Sequence, residues 1–436
     1  MMILLLGSGA REHAIARALA CSPQNPAIAC LAANNNPGIQ KLAEEFKVGS
    51  ISDPKSVVSF AQKCCAKLTI IGPEAPLQAG VADALWNAGI PTVGPKKAHA
   101  QIETSKGFTR DLLAKYNIPG GPLYRRFDSL DGVAEFLEEL GEDYVVKYDG
   151  LMGGKGVKVS GDHLHSHDEA LDYCTKLVNR GGSFVVEEKL IGEEFSLMSF
   201  CDGEHLAHMP PVQDHKRAYE GDEGPNTGGM GSYSDADHSL PFLTDDDISH
   251  AQQINETTAQ ALKKEFSEGY KGVLYGGFIA TADGVKLIEY NARLGDPEAM
   301  NVLPLLESDF VEVCHGIVNG NLDERNVSFS RRATVCKYAV PEGYPDSPVK
   351  GEPIDVSSVT DTSQLYYASV DMKDGTLIEA GSRTVAYVGI AGSLVKAEAK
   401  AEGEISKVRG PLFHRTDIGT TELIQKRVEH MQTLRN

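Results

Sequence analysis

In the first hundred residues, short apolar runs alternate with helical patterns, and every apolar run ends at a turn signal. Ile3–Leu6, Ala27–Leu31, Leu68–Ile71 and Ile90–Val93 read as strands. Arg11–Ala20, Ser56–Cys65 and Ala79–Ala88 read as the helices between them. The turns are Gly7, Asn34–Gly38, Gly72-Pro73 and Gly94-Pro95. This alternation predicts an open parallel sheet covered by helices. Ligands of such sheets bind beyond the carboxyl ends of the strands, where these turns fall.

The other 300 or so residues of a 436-residue chain leave room for further domains. Residues 104–190 predict a small α+β unit. Helices Lys106–Tyr116, about Leu130–Leu140 and Asp168–Val178 accompany strands Tyr144–Tyr148, Val157–Val159 and Phe184–Glu188. Residues 191–325 contain a helix starting near Thr244 and a hairpin over Val273–Asn291. The run Asp245-Asp246-Asp247 after a threonine is helix-start chemistry rather than a metal site. Residues 326–436 predict a separate, mostly antiparallel α+β domain, with strands Ala333–Val340, Gln364–Asp371, Thr376–Ala380 and Thr384–Ile390 and a helix Ser393–Val408. The fold class expected is therefore α/β and α+β, multidomain.

Composition removes several function classes. With 42 Lys+Arg against 61 Asp+Glu the net charge is −19, and no basic block suits nucleic acid or an anionic membrane. No run approaches the ~20 apolar residues of a membrane span, and Met1–Leu6 is too short for a signal-peptide core. The eight cysteines show no CxxC pair, which fits buried thiols in the cytoplasm.

Four stretches carry chemistry. Gly7-Ser8-Gly9-Ala10-Arg11-Glu12 joins a strand to a helix, but Glu12 occupies the third glycine position of a dinucleotide loop. The second strand ends without an acidic residue to hold a ribose. Amides at a helix amino terminus, with Arg11 beside them, suit one phosphate; a tight turn without ligand is the plain alternative. Lys147–Val157 is a glycine-rich tip between two strands, not a P-loop. Gly153, Gly154 and Gly156 let backbone approach phosphates, Lys147 and Lys155 add charge, and a solvated turn is the alternative. Downstream, Glu187, Glu188, Leu190 and Glu194 lie where a connecting strand offers groups to a nucleotide, although glutamates at element ends are usually solvated. In the hairpin after Asp283-Gly284, alternation puts Leu287, Glu289, Asn291 and Arg293 on one face. Glu289 and Asn291 are oxygen donors suited to Mg²⁺, and Arg293 to a carboxylate. A polar strand face is the alternative.

Taken in order, several motifs resemble the ATP-grasp superfamily and, within it, the phosphoribosylamine–glycine ligase family. They are Gly9–His13, Gly72–Leu77, Ser105-Lys106, Lys147–Val157, Gln213-Asp214-His215-Lys216-Arg217, Gly224–Gly231, Glu289–Glu298 and Asp417-Ile418-Gly419. Three departures stand out: Ser8-Gly9-Ala10, Leu151-Met152-Gly153, and Tyr367-Ala368-Ser369-Val370 where the family commonly has His-Ala-Gly-Thr. The resemblance implies ligation of glycine to 5-phosphoribosylamine through glycyl phosphate, using ATP and Mg²⁺ or Mn²⁺, by a monomer. It implies ATP contacts from Lys106, Lys147, the Gly153–Gly156 tip with Lys155, Glu187, Glu188, Leu190 and Glu194. It implies substrate contacts from Gly9, Arg11, Glu74, Asp214, Lys216, Arg217, Asn226, Gly228, Arg293, Gly295 and Asp296, and metal binding by Glu289 and Asn291. Arg293, Lys155 and Asp214 are the implied catalytic groups, Asp214 as candidate base.

Overall fold

The computed structural model describes residues 1–152 and 156–436. Strands β1 (Met2–Leu6), β2 (Ala27–Ala32), β3 (Glu45–Val48), β4 (Leu68–Ile71) and β5 (Thr92–Val93) form a parallel sheet in the order β3-β2-β1-β4-β5. Ile3, Leu4, Leu5 and Leu6 of central β1 are wholly buried, as an unbroken apolar run in a parallel sheet should be. Strand order reverses between β1 and β4, so the Gly7–Arg11 and Gly72–Glu74 turns flank one crevice.

The second unit is an antiparallel sheet of β6 (Tyr124–Phe127), β7 (Tyr144–Tyr148), β8 (Val157–Val159) and β9 (Phe184–Glu188), in the order β6-β9-β7-β8. Helices Val133–Leu140 and His167–Asn179 pack on it. Phe136, Leu137, Tyr144, Cys174 and Phe184 belong to a core of its own, distinct from the one running through the rest of the chain.

Next come β10 (Glu193–Cys201), β11 (Leu206–His208), β12 (Gln213–Asp214), β13 (Arg217–Tyr219), β14 (Glu223–Asn226), β15 (Gly231–Ser234), β16 (Gly272–Thr281) and β17 (Gly284–Asn291). The central sheet runs β11-β10-β16-β17, while β13 and β14 pair as a ribbon. Helix Asp245–Phe266 starts at Thr244, whose hydroxyl accepts from the Asp247 amide at 3.2 Å. Asp247 returns a bond to the Thr244 amide and also pairs with Arg435 at 2.7 Å, so the acidic run serves the helix start and a chain-end clasp.

The carboxyl-terminal strands are β18 (Ala333–Pro341), β19 (Leu365–Tyr367), β20 (Val370–Lys373), β21 (Thr376–Glu379), β22 (Val385–Ala391) and β23 (Leu412–Phe413). Their main sheet runs β12-β15-β18-β22-β19 and thus takes in β12 and β15. Gly231–Ser234 pairs with β18 along its whole length. The single strand expected over Gln364–Asp371 breaks at Ala368-Ser369 into β19 and β20, which belong to different sheets. All eight cysteines are free thiols, and no helix among the described residues is long and apolar enough to cross a membrane.

Candidate active site

At the first turn, Gly7 has φ +117° and Gly9 caps the helix Ala10–Ala20. Glu12 folds back over the turn. Its carboxylate accepts from the Gly9 amide at 2.6 Å and from Arg11 Nε at 2.6 Å. A Cβ on Gly7 would lie 2.7 Å from the Glu12 side chain, and one on Gly72 2.2 Å away, so both glycines make room for Glu12. The Gly9 amide is engaged by Glu12, which leaves the amides of Ala10 and Arg11 at the helix start for an anion. Arg11 also donates to the Leu294 carbonyl at 3.3 Å, tying this turn to the loop after β17.

Register slips where β16 meets β17: Gly277 pairs with Glu289 but Phe278 with Leu287, so Ile288 is an extra residue. The expected single face is broken there. Leu287 is buried in the core, while Ile288 and Glu289 both line a cleft of about 330 Å³ with Glu194, Ser196, Asp214 and Lys216. No described group donates a hydrogen bond to the Glu289 carboxylate. Burial pushes its carboxyl upward, but Lys216, Lys106, Lys147 and Arg293 outweigh that and hold it below the ordinary range.

The lysines are fixed from behind. Lys147 Nζ sits 2.7 Å from Glu187 and donates to the Ile288 carbonyl at 3.2 Å. Arg110 grips the same carboxylate with Nε at 2.7 Å and Nη2 at 3.0 Å. The Glu187 carboxylate is thus held between Arg110 and Lys147. The Glu188 carboxylate accepts from the Leu123 amide at 2.8 Å, and its amide donates to the Leu123 carbonyl. Lys106 Nζ reaches the Gly150 carbonyl at 3.3 Å, and the Gly156 carbonyl accepts from the Tyr148 amide at 2.8 Å. Leu190 lies half-buried just past β9, and Glu194 Oε2 takes Lys216 at 2.7 Å. Gly153, Gly154 and Lys155 lie outside the described residues.

Arg293 donates to Glu103 at 2.9 Å and to Asn291 Oδ1 at 3.0 Å, with Glu74 of the first unit 3.6 Å from its Nε. That Nε is buried without a hydrogen-bond partner. Asp214 shows the complementary lack: its Oδ1 is buried and accepts nothing. Burial and then Glu298 push the Asp214 carboxyl well above the usual range, against Lys216 and Arg383. Glu298 accepts from Tyr275 at 2.6 Å, and Gly295 is packed so closely that a Cβ would lie 2.3 Å from Glu298. Asp296 accepts from Tyr338 at 2.7 Å and pairs with Arg383 at 3.1 Å. Arg383 also holds the Gly228 carbonyl at 2.6 Å. Arg217 and Asn226 stand apart on the β13–β14 ribbon, Arg217 engaged with Asp162 beyond β8 and with the Gly224 carbonyl at 2.9 Å.

Sequence reasoning missed Glu103, Arg110, Tyr338 and Arg383. A signal existed for Arg110: it falls with Gly107 and Leu113 on the buried side of helix Lys106–Lys115, where an unpaired charge would be prohibitive. None existed for Arg383, which reaches the Gly228 and Asp296 loops from a distant part of the chain.

Glu289 and Asn291 fit a divalent cation. They are adjacent oxygen donors, one an ionised carboxylate with no protein donor, beside lysines suited to phosphates. Among the described residues the one cluster of three His, Cys, Asp or Glu ligand atoms is Asp202, His205 and Asp323, elsewhere in the fold. There the Asp202 carboxylate is occupied by the amides of Glu204, His205 and Leu322.

Models of three domains of phosphoribosylglycinamide synthetase match the chain: the N domain over residues 1–103, the ATP-grasp (A) domain over 104–299 and the C domain over 334–421. A phosphoribosylamine–glycine ligase of Methanosarcina acetivorans is 52% identical over 435 residues, covering 100% of this chain and 98% of that protein. The Methanocaldococcus jannaschii enzyme of the same name is 50% identical, with both chains covered fully. The crystal structure of the Thermotoga maritima phosphoribosylamine–glycine ligase superposes with a TM-score of 0.80 at 27% identity, covering 96% of this chain and 100% of that one. An N5-carboxyaminoimidazole ribonucleotide synthetase in its ADP complex shares the fold at 16% identity, with a TM-score of 0.64 over 93% of this chain and 96% of that one. The chain belongs to the phosphoribosylglycinamide synthetase family.

Proposed function

We propose that the chain is a carbon–nitrogen ligase that joins glycine to 5-phosphoribosylamine while ATP is split to ADP and phosphate, with glycyl phosphate between the two halves of the reaction. The observation that carries this is Asp214 Oδ1, a buried acceptor without a hydrogen bond in the cleft it lines with Glu289 and Lys216, together with Arg293, whose buried Nε also makes no hydrogen bond. A guanidinium donor and a carboxylate acceptor match the two ends of a glycine zwitterion. Full-length relatives at about 50% identity bear the name of this ligase, which supports the reading.

In this reading residues 1–103 carry the sugar phosphate, 104–190 form the lid, 191–325 the floor and 326–436 the closing side. Lys106, Lys147 and the Lys155 tip neutralise the ATP phosphates, so that an anionic glycine carboxylate can attack the γ-phosphorus. Mg²⁺ or Mn²⁺ held by Glu289 and Asn291 would supply further charge neutralisation between phosphate oxygens. Arg293 orients the carboxylate being phosphorylated, and Asp214 faces the ammonium end. The Ala10 and Arg11 amides hold the sugar phosphate across the crevice, with Glu74 and Asp296 nearby. The amine of the sugar then attacks the acyl carbon and phosphate leaves, with Asp214 as the candidate base for the amine proton. Glu187 and Arg110 act behind Lys147 rather than on the nucleotide. Gly295 shapes the wall, because Glu298 leaves no space there for a side chain, and Gly228 lies close against the Arg383 guanidinium.

The test is ADP release with Mg²⁺–ATP, glycine and phosphoribosylamine generated in place, omitting one component at a time. ADP should form only with all of them. Folded, ATP-binding protein that releases no ADP with the complete mixture would discard the reaction.

A further inference from the structure

The loop between β21 and β22 delivers Arg383 into the wall between two motif loops. One nitrogen, Nη1, donates to the carbonyls of Gly228 at 2.6 Å, Gly229 at 3.3 Å and Asp296 at 2.9 Å, and lies 3.1 Å from Asp296 Oδ1. The guanidinium stacks over the Tyr338 ring at 4.8 Å, and the Tyr338 hydroxyl donates to the same Asp296 Oδ1 at 2.7 Å. Asp296 Oδ1 thus takes one hydrogen bond and one ion pair, whereas Oδ2 has no hydrogen bond among the described residues. Oδ2 points toward the first unit: it lies 3.8 Å from where a Cβ on Gly9 would stand. A hydrogen bond and an ion pair on one oxygen restrain a carboxylate and so aim the other oxygen. The side chain of Arg383 is only 17% exposed, so it has little freedom to serve a ligand directly.

Resting on the ligase reading above, we propose that Arg383 is a positioning residue that, with Tyr338, aims Asp296 Oδ2 at the sugar of the amine substrate as an acceptor for a ribose hydroxyl. The amine half of the site is then completed by a side chain of the carboxyl-terminal segment acting through Asp296. Arg383 acts through Asp296, and this makes the inference separable from a general loss of structure.

The experiment is steady-state kinetics on the full-length enzyme for Arg383→Gln, Arg383→Lys, Tyr338→Phe, Asp296→Asn and the Arg383→Gln/Asp296→Asn double variant. Arg383→Gln should raise the KM for phosphoribosylamine tenfold or more and change the KM values for glycine and ATP less than twofold. Arg383→Lys should recover part of that loss. Tyr338→Phe, which removes one donor and keeps the ring, should raise the amine KM severalfold and guards against a misfolded arginine variant. The double variant should be no worse than the poorer single one, because both changes disable one acceptor. Equal rises in all three KM values, an unchanged amine KM, or losses that multiply in the double variant would each overturn the proposal. A wild type that releases no ADP would instead remove the ligase reading itself.

Discussion

Replacing Glu187 by glutamine removes the one negative charge between two buried cations. Its side chain is 3% exposed, that of Arg110 3% and that of Lys147 7%. Burial pushes the Glu187 carboxyl up, but Arg110 and then Lys147 pull it down from 4.5 to about 2. A carboxyl so lowered contributes about 3 kcal/mol of stability. Because the folded value is depressed, that contribution is complete above pH 4.5 and is lost as pH falls toward 2. Breaking a buried pair by removing one partner costs about 3–5 kcal/mol, which agrees. Lys147 suffers as well. Burial already lowers its pKa and Glu187 restores it, so the variant lysine loses charge nearer neutrality. The assay is hydrogen exchange at the paired amides of β7 and β9, since this sheet has its own core. Exchange should accelerate about a hundredfold or more, as 1.4 kcal/mol is a factor of ten, and the KM for ATP should rise. Lys147→Met should accelerate exchange much less, because Glu187 keeps both contacts from Arg110. Exchange altered by less than about fivefold in Glu187→Gln, with an unchanged ATP KM, would refute the reasoning.

Glu289→Ala should lower kcat at least about a hundredfold, the scale of one lost electrostatic contact in a transition state, while leaving thermal unfolding within a few degrees; full turnover would remove its assigned role. Chelation by EDTA should stop ADP release and added Mg²⁺ or Mn²⁺ should restore it; turnover in excess chelator would contradict the cation site. Gly229→Ala forces a side chain at φ +110° to within 2.6 Å of Asp214 and 2.7 Å of Pro297. It should destabilise the protein by about 1–3 kcal/mol in urea unfolding and raise the KM for glycine.

Legibility in the sequence followed local physics. β1, β4, β7 and β9 announce themselves because their apolar runs are short, continuous and bounded by turns. β3 did not, because it is an edge strand whose residues are mostly exposed and carry no apolar pattern. Glu12 looked like a failed glycine position; the structure makes it the group around which Gly7 and Gly72 are shaped. Gly231–Ser234 carries no mark of its pairing with β18, since register between strands a hundred residues apart is decided by tertiary packing. Glu289, Asn291 and Arg293 were found from spacing within one strand, yet the bulge at Ile288 that turns Glu289 into the cleft was not. Glu103 and Arg383 were invisible for the same reason as β15: their partners Arg293 and Asp296 are remote in sequence.

The most direct test of the central claim follows one oxygen. Glycine labelled with ¹⁸O in both carboxylate positions is turned over with ATP and phosphoribosylamine, and the released phosphate is analysed by mass. If the glycine carboxylate attacks the γ-phosphorus and the amine then displaces phosphate from the acyl carbon, each phosphate released carries one ¹⁸O. Phosphate without ¹⁸O, formed at the rate of ADP release, would contradict the acyl phosphate and with it the roles given to Arg293 and the lysine floor.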